Sequence, residues 1–230
     1  MNFKTFASAA ALIAIFATTT VVNAQSSYKM GFTLGSNYSS LRSDLFTTSS
    51  GRLSPAAGFA ITLGFGDRFE LSPEILFVQK GAIAKTVLYS PENKPTTSTY
   101  NFYFNSFEAG LFAGFQPVAS VPVRLQLGGF YGTNFHKLNQ SQKDRYVSDY
   151  ANIVNATQVT LLNESFSGMD FGPAFGISAG LGRFNVNARY YLGARNLYKN
   201  IAFAAEGHQI HSSSIRIALT YFFKNKSTWD

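Results

Sequence analysis

The sequence predicts an all-β fold, an eight-stranded antiparallel up-and-down transmembrane β-barrel. Three observations carry that expectation. Aromatic residues make up 16% of the chain while charged residues reach only 13%, about half the charged share of a soluble domain. Beyond residue 24 no apolar run approaches the length of about 18 residues that a membrane-crossing helix needs. Apolar residues instead alternate with small or polar ones at a period of two, the mark of strands with two unlike faces. In a bilayer every backbone N–H and C=O must find a partner inside the protein, so a chain without a suitable helix crosses as a closed barrel.

The elements follow in order. Residues 1–24 read as a secretory signal peptide. Lys4 gives a positive start, Phe6 to Val22 is apolar, and Val22-Asn23-Ala24 places small residues at −3 and −1 before Gln25. The barrel is expected over 25–223, with a tail at 224–230. There is no cysteine, which excludes disulfides, thiol chemistry and a lipoprotein anchor.

The first strand is expected over 28–40, where Met30, Phe32 and Leu34 alternate with Lys29, Gly31, Thr33 and Gly35. The second, 54–66, sets Phe59, Ile61, Leu63 and Phe65 against Gly58, Ala60, Thr62 and Gly64. In the third, 68–82, Phe69, Leu71, Ile75 and Phe77 oppose Glu70, Ser72 and Glu74. In the fourth, 99–116, Phe107, Leu111 and Phe115 oppose Glu108, Gly110 and Gly114. The fifth, 121–134, sets Val123, Leu125, Leu127 and Tyr131 against Arg124, Gln126, Gly128 and Gly132. The sixth, 167–181, sets Met169, Phe171, Phe175, Ile177 and Leu181 against Asp170, Gly172, Gly176, Ser178 and Gly180. The seventh, 183–193, sets Phe184, Val186, Ala188, Tyr190 and Leu192 against Arg183, Asn185, Asn187, Arg189 and Tyr191. The eighth, 212–223, sets Ile215, Ile217, Leu219 and Tyr221 against Arg216 and Thr220.

Connections alternate between tight, at 66–68, 116–120 and 182–183, and long, at 41–53, 83–98, 135–166 and 194–211. Short periplasmic turns and long extracellular loops are the habit of outer-membrane barrels. Glycine decides which face is outside. It shares parity with the polar residues on nearly every strand, and glycine weakens a solvated strand. A narrow lumen, which eight strands leave only just wide enough for side chains, does call for glycine. The glycine-rich, charged face is therefore expected inside and the apolar face against lipid.

On this register the lumen holds Glu74, Glu108, Asp170, Arg189 and Arg216, with Glu70, Lys80, Arg124 and Arg183 towards the ends. Strands three and four lie opposite seven and eight in a ring of eight. Glu74 and Glu108 then face Arg189 and Arg216 at similar heights. An unpaired charge at that depth is costly, so cross-lumen ion pairs that close the pore are expected.

The same rule explains a hydrolase-like pattern. Gly176-Ile177-Ser178-Ala179-Gly180 matches G-x-S-x-G, but a nucleophile elbow needs a sharp turn and a helix at the serine. Here the strand pattern runs straight through Ser178, and small residues recur at every second position.

Several motifs look like successive strands of a known family: "GFTLGSNYSSL", "PEILFVQKG", "RLQLGGFYG", "FGPAFGISAGLG", "ARYYLGARNL" and "IRIALTYFF". In this order they resemble the PorT-like outer-membrane β-barrel family over nearly the whole mature chain. The resemblance implies an eight-stranded barrel in the outer membrane and no single activity. The family's namesake acts in type IX secretion, which makes an accessory role in a secretion machine an alternative. Outer-membrane barrels commonly end on an aromatic residue; here Phe223 ends the last strand, but Lys224 to Asp230 follow.

The expected function is non-enzymatic, with no cofactor and no bound metal. Lys137, Lys143 and Arg145 in the long third loop can meet phosphate groups, and Tyr146 and Tyr150 sugars or protein. The formal charge of +7, +6 once Lys4 is removed, favours outer-membrane lipid and lipopolysaccharide. Nucleic acid is not expected for an exported chain without a basic cluster. A passive channel is a second class, disfavoured by the narrow lumen. A lipid A-modifying enzyme is a third. His211 and Ser213 form an outward His-x-Ser pair similar to that of barrel lipid A deacylases. Glu206, His208 and His211 have metal-ligand chemistry, but a solvated loop accounts for them.

Overall fold

The computed structural model describes residues 26–43, 48–89, 95–135, 168–197 and 209–223. The expected signal peptide, the 224–230 tail and the loop residues Lys137, Lys143, Arg145, Tyr146 and Tyr150 lie outside them.

The eight strands are β1 (Ser26–Ser43), β2 (Thr48–Phe65), β3 (Phe69–Tyr89), β4 (Pro95–Phe115), β5 (Val123–Phe135), β6 (Met169–Leu181), β7 (Phe184–Leu192) and β8 (Ile210–Phe222). They pair in sequence order, all antiparallel, into a closed barrel. Closure is made by β1 against β8, with Phe32 opposite Tyr221 and Tyr38 opposite Ile215. No edge is left to template aggregation. The shortest strand, β7, has 9 residues, and a tilted crossing takes about 9–11.

The two faces divide as side-chain chemistry demands. Phe59, Ile75, Leu111, Leu127, Phe175, Ile177, Ile217 and Leu219 are exposed on the outer surface. Thr33, Glu74, Glu108, Asp170, Ser178, Arg189 and Arg216 are buried within. In water the outer surface would aggregate; in acyl chains it is matched. Two connections at the short end turn on glycines with positive φ, Gly66 at 61° and Gly182 at 62°. This backbone region costs other L-residues about 1–2 kcal/mol.

One expectation is corrected. The segments 41–53 and 83–98, read as loops, are largely strand, because β1 runs to Ser43, β2 starts at Thr48, β3 reaches Tyr89 and β4 starts at Pro95. Their composition of Ser, Thr and Gly hides this. Strands that project beyond the bilayer are wet on both faces, so nothing drives apolar and polar residues to alternate. A regular register through β2 is also broken. Between Gly51 and Ala56 the pairing with β3 shifts by a bulge, and Tyr38 leans over the space where a Gly51 side chain would sit.

Candidate functional site

The lumen is filled from the short-turn end upward by charged and amide side chains. Near the base, Arg124 Nε of β5 lies 3.2 Å from Glu70 Oε2 of β3, and Gln126 donates to Glu70 at 3.2 Å. Above them Arg189 of β7 donates through Nε to Gln126 Oε1 and through Nη1 to Glu74 Oε2 of β3, both at 2.7 Å. Tyr191 donates its hydroxyl to Glu74 at 3.4 Å. Arg216 of β8 reaches towards Glu74 at 4.0 Å and donates to Glu108 of β4 at 2.5 Å. Higher still, Lys80 Nζ bridges Glu108 at 2.5 Å and Asp170 of β6 at 3.0 Å. Ser212 of β8 completes the run by donating to Asp170 at 2.6 Å.

These contacts link six of the eight walls across the shaft. β3 stands opposite β7, and β4 opposite β8, so Glu74 to Arg189 and Glu108 to Arg216 span the full diameter. The charges balance: Lys80, Arg124, Arg189 and Arg216 against Glu70, Glu74, Glu108 and Asp170. An isolated ion at this depth would be expensive. Here each carboxylate faces a cation.

Aromatic rings hold the cations from the other side. Phe112, Phe130 and Tyr191 form a buried cluster with Ala174, edge to face at 6.1 Å and 5.5 Å. Arg189 lies over Phe112 at 3.8 Å, Arg216 over Tyr191 at 4.2 Å, and Lys80 over Phe130 at 4.5 Å. A cation over a ring face is drawn by the ring quadrupole, most strongly where water is excluded.

Of the residues singled out in the sequence, Glu74, Glu108, Asp170, Arg189 and Arg216 come together in this network. Arg183 is exposed in a tight turn. Lys80, expected towards an end, is fully buried and joins two carboxylates of the network. Counting along β3 places it high, but a long side chain reaches down to Glu108. Gln126, Phe112, Phe130 and Tyr191 were also missed as parts of the site. Their inward parity was legible, and aromatic residues on a polar face were the signal.

Ser178 lies within β6 with a buried hydroxyl, and the strand runs on through it to Leu181, so no sharp turn sits at the serine. His211 and Ser213 share the outward parity of Ile215. The Ser213 hydroxyl is hydrogen-bonded to Ser40 at 2.9 Å. Glu206 and His208 lie outside the described residues. Among the described residues no group of three acidic, histidine or cysteine side chains is placed to hold a metal ion, and no helix is long and apolar enough to cross a membrane.

No curated protein matches the chain. Similar solved structures include the neisserial surface protein A, 12% identical, covering 84% of this chain and 97% of that one, with a TM-score of 0.46. The attachment invasion locus protein Ail of Yersinia pestis, in complex with the heparin analogue sucrose octasulfate, is 10% identical, with coverage of 85% and 99% and a TM-score of 0.42. OprG of Pseudomonas aeruginosa is 12% identical, with coverage of 86% and 95% and a TM-score of 0.40. Residues 23–199 match the model of the outer membrane protein beta-barrel domain. A closed eight-stranded barrel, an apolar exterior and this match over most of its length identify the chain as an outer-membrane protein that belongs to the outer membrane protein beta-barrel domain family.

Proposed function

We propose that this protein is a non-enzymatic, non-conducting platform in the outer membrane, whose outer end engages lipid head groups, glycan or a protein partner. One observation carries the reading: the run of contacts from Arg124 to Ser212 that crosses the lumen between opposite walls, its two halves joined by the 4.0 Å approach of Arg216 to Glu74. Eight strands leave room for side chains and little else, and these side chains hold one another in place. With the shaft occupied, the surfaces left for function are the lipid-facing wall and the two ends.

Planar-bilayer recording of the purified barrel tests it. The expected trace stays at baseline over long recordings. Steady openings would overturn the closed lumen and favour a small passive channel. Enzymatic modification of lipid A is tested separately, by comparing lipid A from cells carrying the wild type and Ser213→Ala. Identical lipid profiles are expected.

A PorT-like accessory role in secretion is the second reading, supported by the ordered resemblance of six strand motifs. Recovery under mild detergent separates the two. Stoichiometric secretion subunits would favour the accessory role; recovery alone, or with tightly bound lipid, would favour the platform.

A further inference from the structure

The outer wall at the β1–β8 seam carries an unexplained change of chemistry. On β1 the outward residues Tyr28, Met30, Phe32, Leu34 and Tyr38 are apolar and exposed, interrupted only by Ser36, which pairs with Ile217. Ten residue steps at about 3.3 Å each, tilted about 40°, span about 25 Å, the height of the apolar band of an outer-membrane barrel. The band on β8 stops at the same level, because Tyr38 pairs with Ile215. Immediately above, Ser40 pairs with Ser213 and Arg42 with His211, all on the outward parity. The two serine hydroxyls are hydrogen-bonded to each other at 2.9 Å. Arg42 is exposed. The pair therefore stands where acyl chains give way to head groups.

Among the described residues, charge is distributed unevenly around this level. The carboxylates of the described residues are Glu70, Glu74, Glu108 and Asp170, all in the lumen, and Asp67, in a tight turn at the opposite end. Among the described residues none faces outward near Arg42. Arg52, further along the same end on β2, is already occupied, with Nη2 donating to Gln79 at 3.0 Å and its guanidinium over Tyr103 at 4.6 Å. Arg42 has no such partner among the described residues. Its guanidinium offers five N–H donors in a planar fork suited to a phosphate, and the His211 imidazole has an N–H donor in either protonation state.

We propose that Arg42 and His211, standing above the Ser40–Ser213 pair, bind the phosphate of an acylated outer-leaflet lipid. The acyl chains lie along the apolar seam of Leu34, Tyr38, Ile215 and Ile217, and the phosphate sits in the fork. The site deepens the platform reading and rests on its orientation in the membrane, not on its closed lumen.

The experiment uses the full mature barrel in zwitterionic detergent, with lipid retention read by native mass spectrometry. The probes are bisphosphorylated lipid A, fully dephosphorylated lipid A and inorganic phosphate. The variants are Arg42→Gln/His211→Gln and, as a control at the opposite end, Arg68→Gln/Arg183→Gln. Heat-modifiable electrophoretic mobility checks folding. Should the double variant not fold, Arg42→Gln alone gives the readout. Loss of the pair is expected to weaken binding of bisphosphorylated lipid A about tenfold. The control variant should bind as the wild type does, Arg42→Lys should retain most of the affinity, and dephosphorylated lipid A should bind wild type and double variant alike. Unchanged affinity in the Arg42 variants would overturn the site. Displacement of lipid A by equimolar inorganic phosphate would overturn the lipid as its ligand. Steady conductance with lipid binding intact would sink the closed lumen and leave this site standing.

Discussion

The guanidinium of Arg189 stacks on the ring of Phe112, 3.8 Å from its centroid, and donates to Glu74 from the same group. The cation is thus held between a ring face and a carboxylate in a buried shaft. Phe112→Leu keeps most of the apolar volume and removes the quadrupole. It is expected to lower the stability by about 1–2 kcal/mol, measured by urea unfolding in detergent. Phe107→Leu, on the lipid face, should cost clearly less. Equal losses would mean that the stacking contributes nothing.

The cross-lumen pairs predict larger effects. Removing one partner of a buried pair leaves an uncompensated ion and costs about 3–5 kcal/mol. Arg189→Ala and Glu108→Ala are both expected in that range, with Glu108→Ala the worse because it removes a partner from two cations at once, leaving Lys80 only Asp170 and Arg216 only its 4.0 Å contact with Glu74. A loss below about 1 kcal/mol in both variants would refute the pairing.

Lys80 gives a rescue test. In Lys80→Met, Glu108 retains Arg216, but Asp170 is left with only the Ser212 hydroxyl. The single variant should lower the unfolding midpoint strongly. Adding Asp170→Asn, which removes the stranded charge, should recover at least half of that loss. Additive effects would show that the two side chains do not interact.

The inside-outside assignment is open to single-cysteine labelling, since the natural chain contains no cysteine. A lipid-soluble maleimide should modify Phe175→Cys and Leu127→Cys in membranes and leave Ser178→Cys unreacted. The reverse pattern would turn the barrel inside out.

The two glycines that flank Ser178 should behave differently. A Cβ at Gly176 would lie 2.1 Å from the Ala188 carbonyl oxygen and 2.7 Å from the Arg189 Cα. Gly176→Ala is therefore expected to cost about 1–3 kcal/mol by overpacking. At Gly180 the nearest atom would be Arg124 Nη1 at 3.8 Å, so Gly180→Ala should be neutral or slightly stabilising. The comparison needs only unfolding midpoints, and equal losses would contradict the packing.

Sequence alternation located all eight strands and both faces because lipid and lumen impose opposite chemistry on successive residues. That signal ended where the lipid ended: Ser43, Thr48 and Tyr89 lie in strand extensions that no pattern marked. The bulge between Gly51 and Ala56 was equally silent, since polar residues on both sides give parity nothing to report. Within the lumen, parity placed Glu74 and Arg189 inside, and strand order set them opposite each other. It did not give heights once long side chains bend, which is why Lys80 was assigned to an end. Phe112 and Phe130 carried inward parity, but their rings suit lipid equally well, and only the three-dimensional packing joins them to the cations.

The balance of four basic and four acidic groups inside the shaft has an electrical consequence. The work done by a transmembrane potential on a group of fixed charges scales with their sum, and here that sum is zero. A voltage along the barrel axis would pull the arginines and the glutamates in opposite directions with equal strength. It can strain the plug internally, but it has no net force with which to expel it.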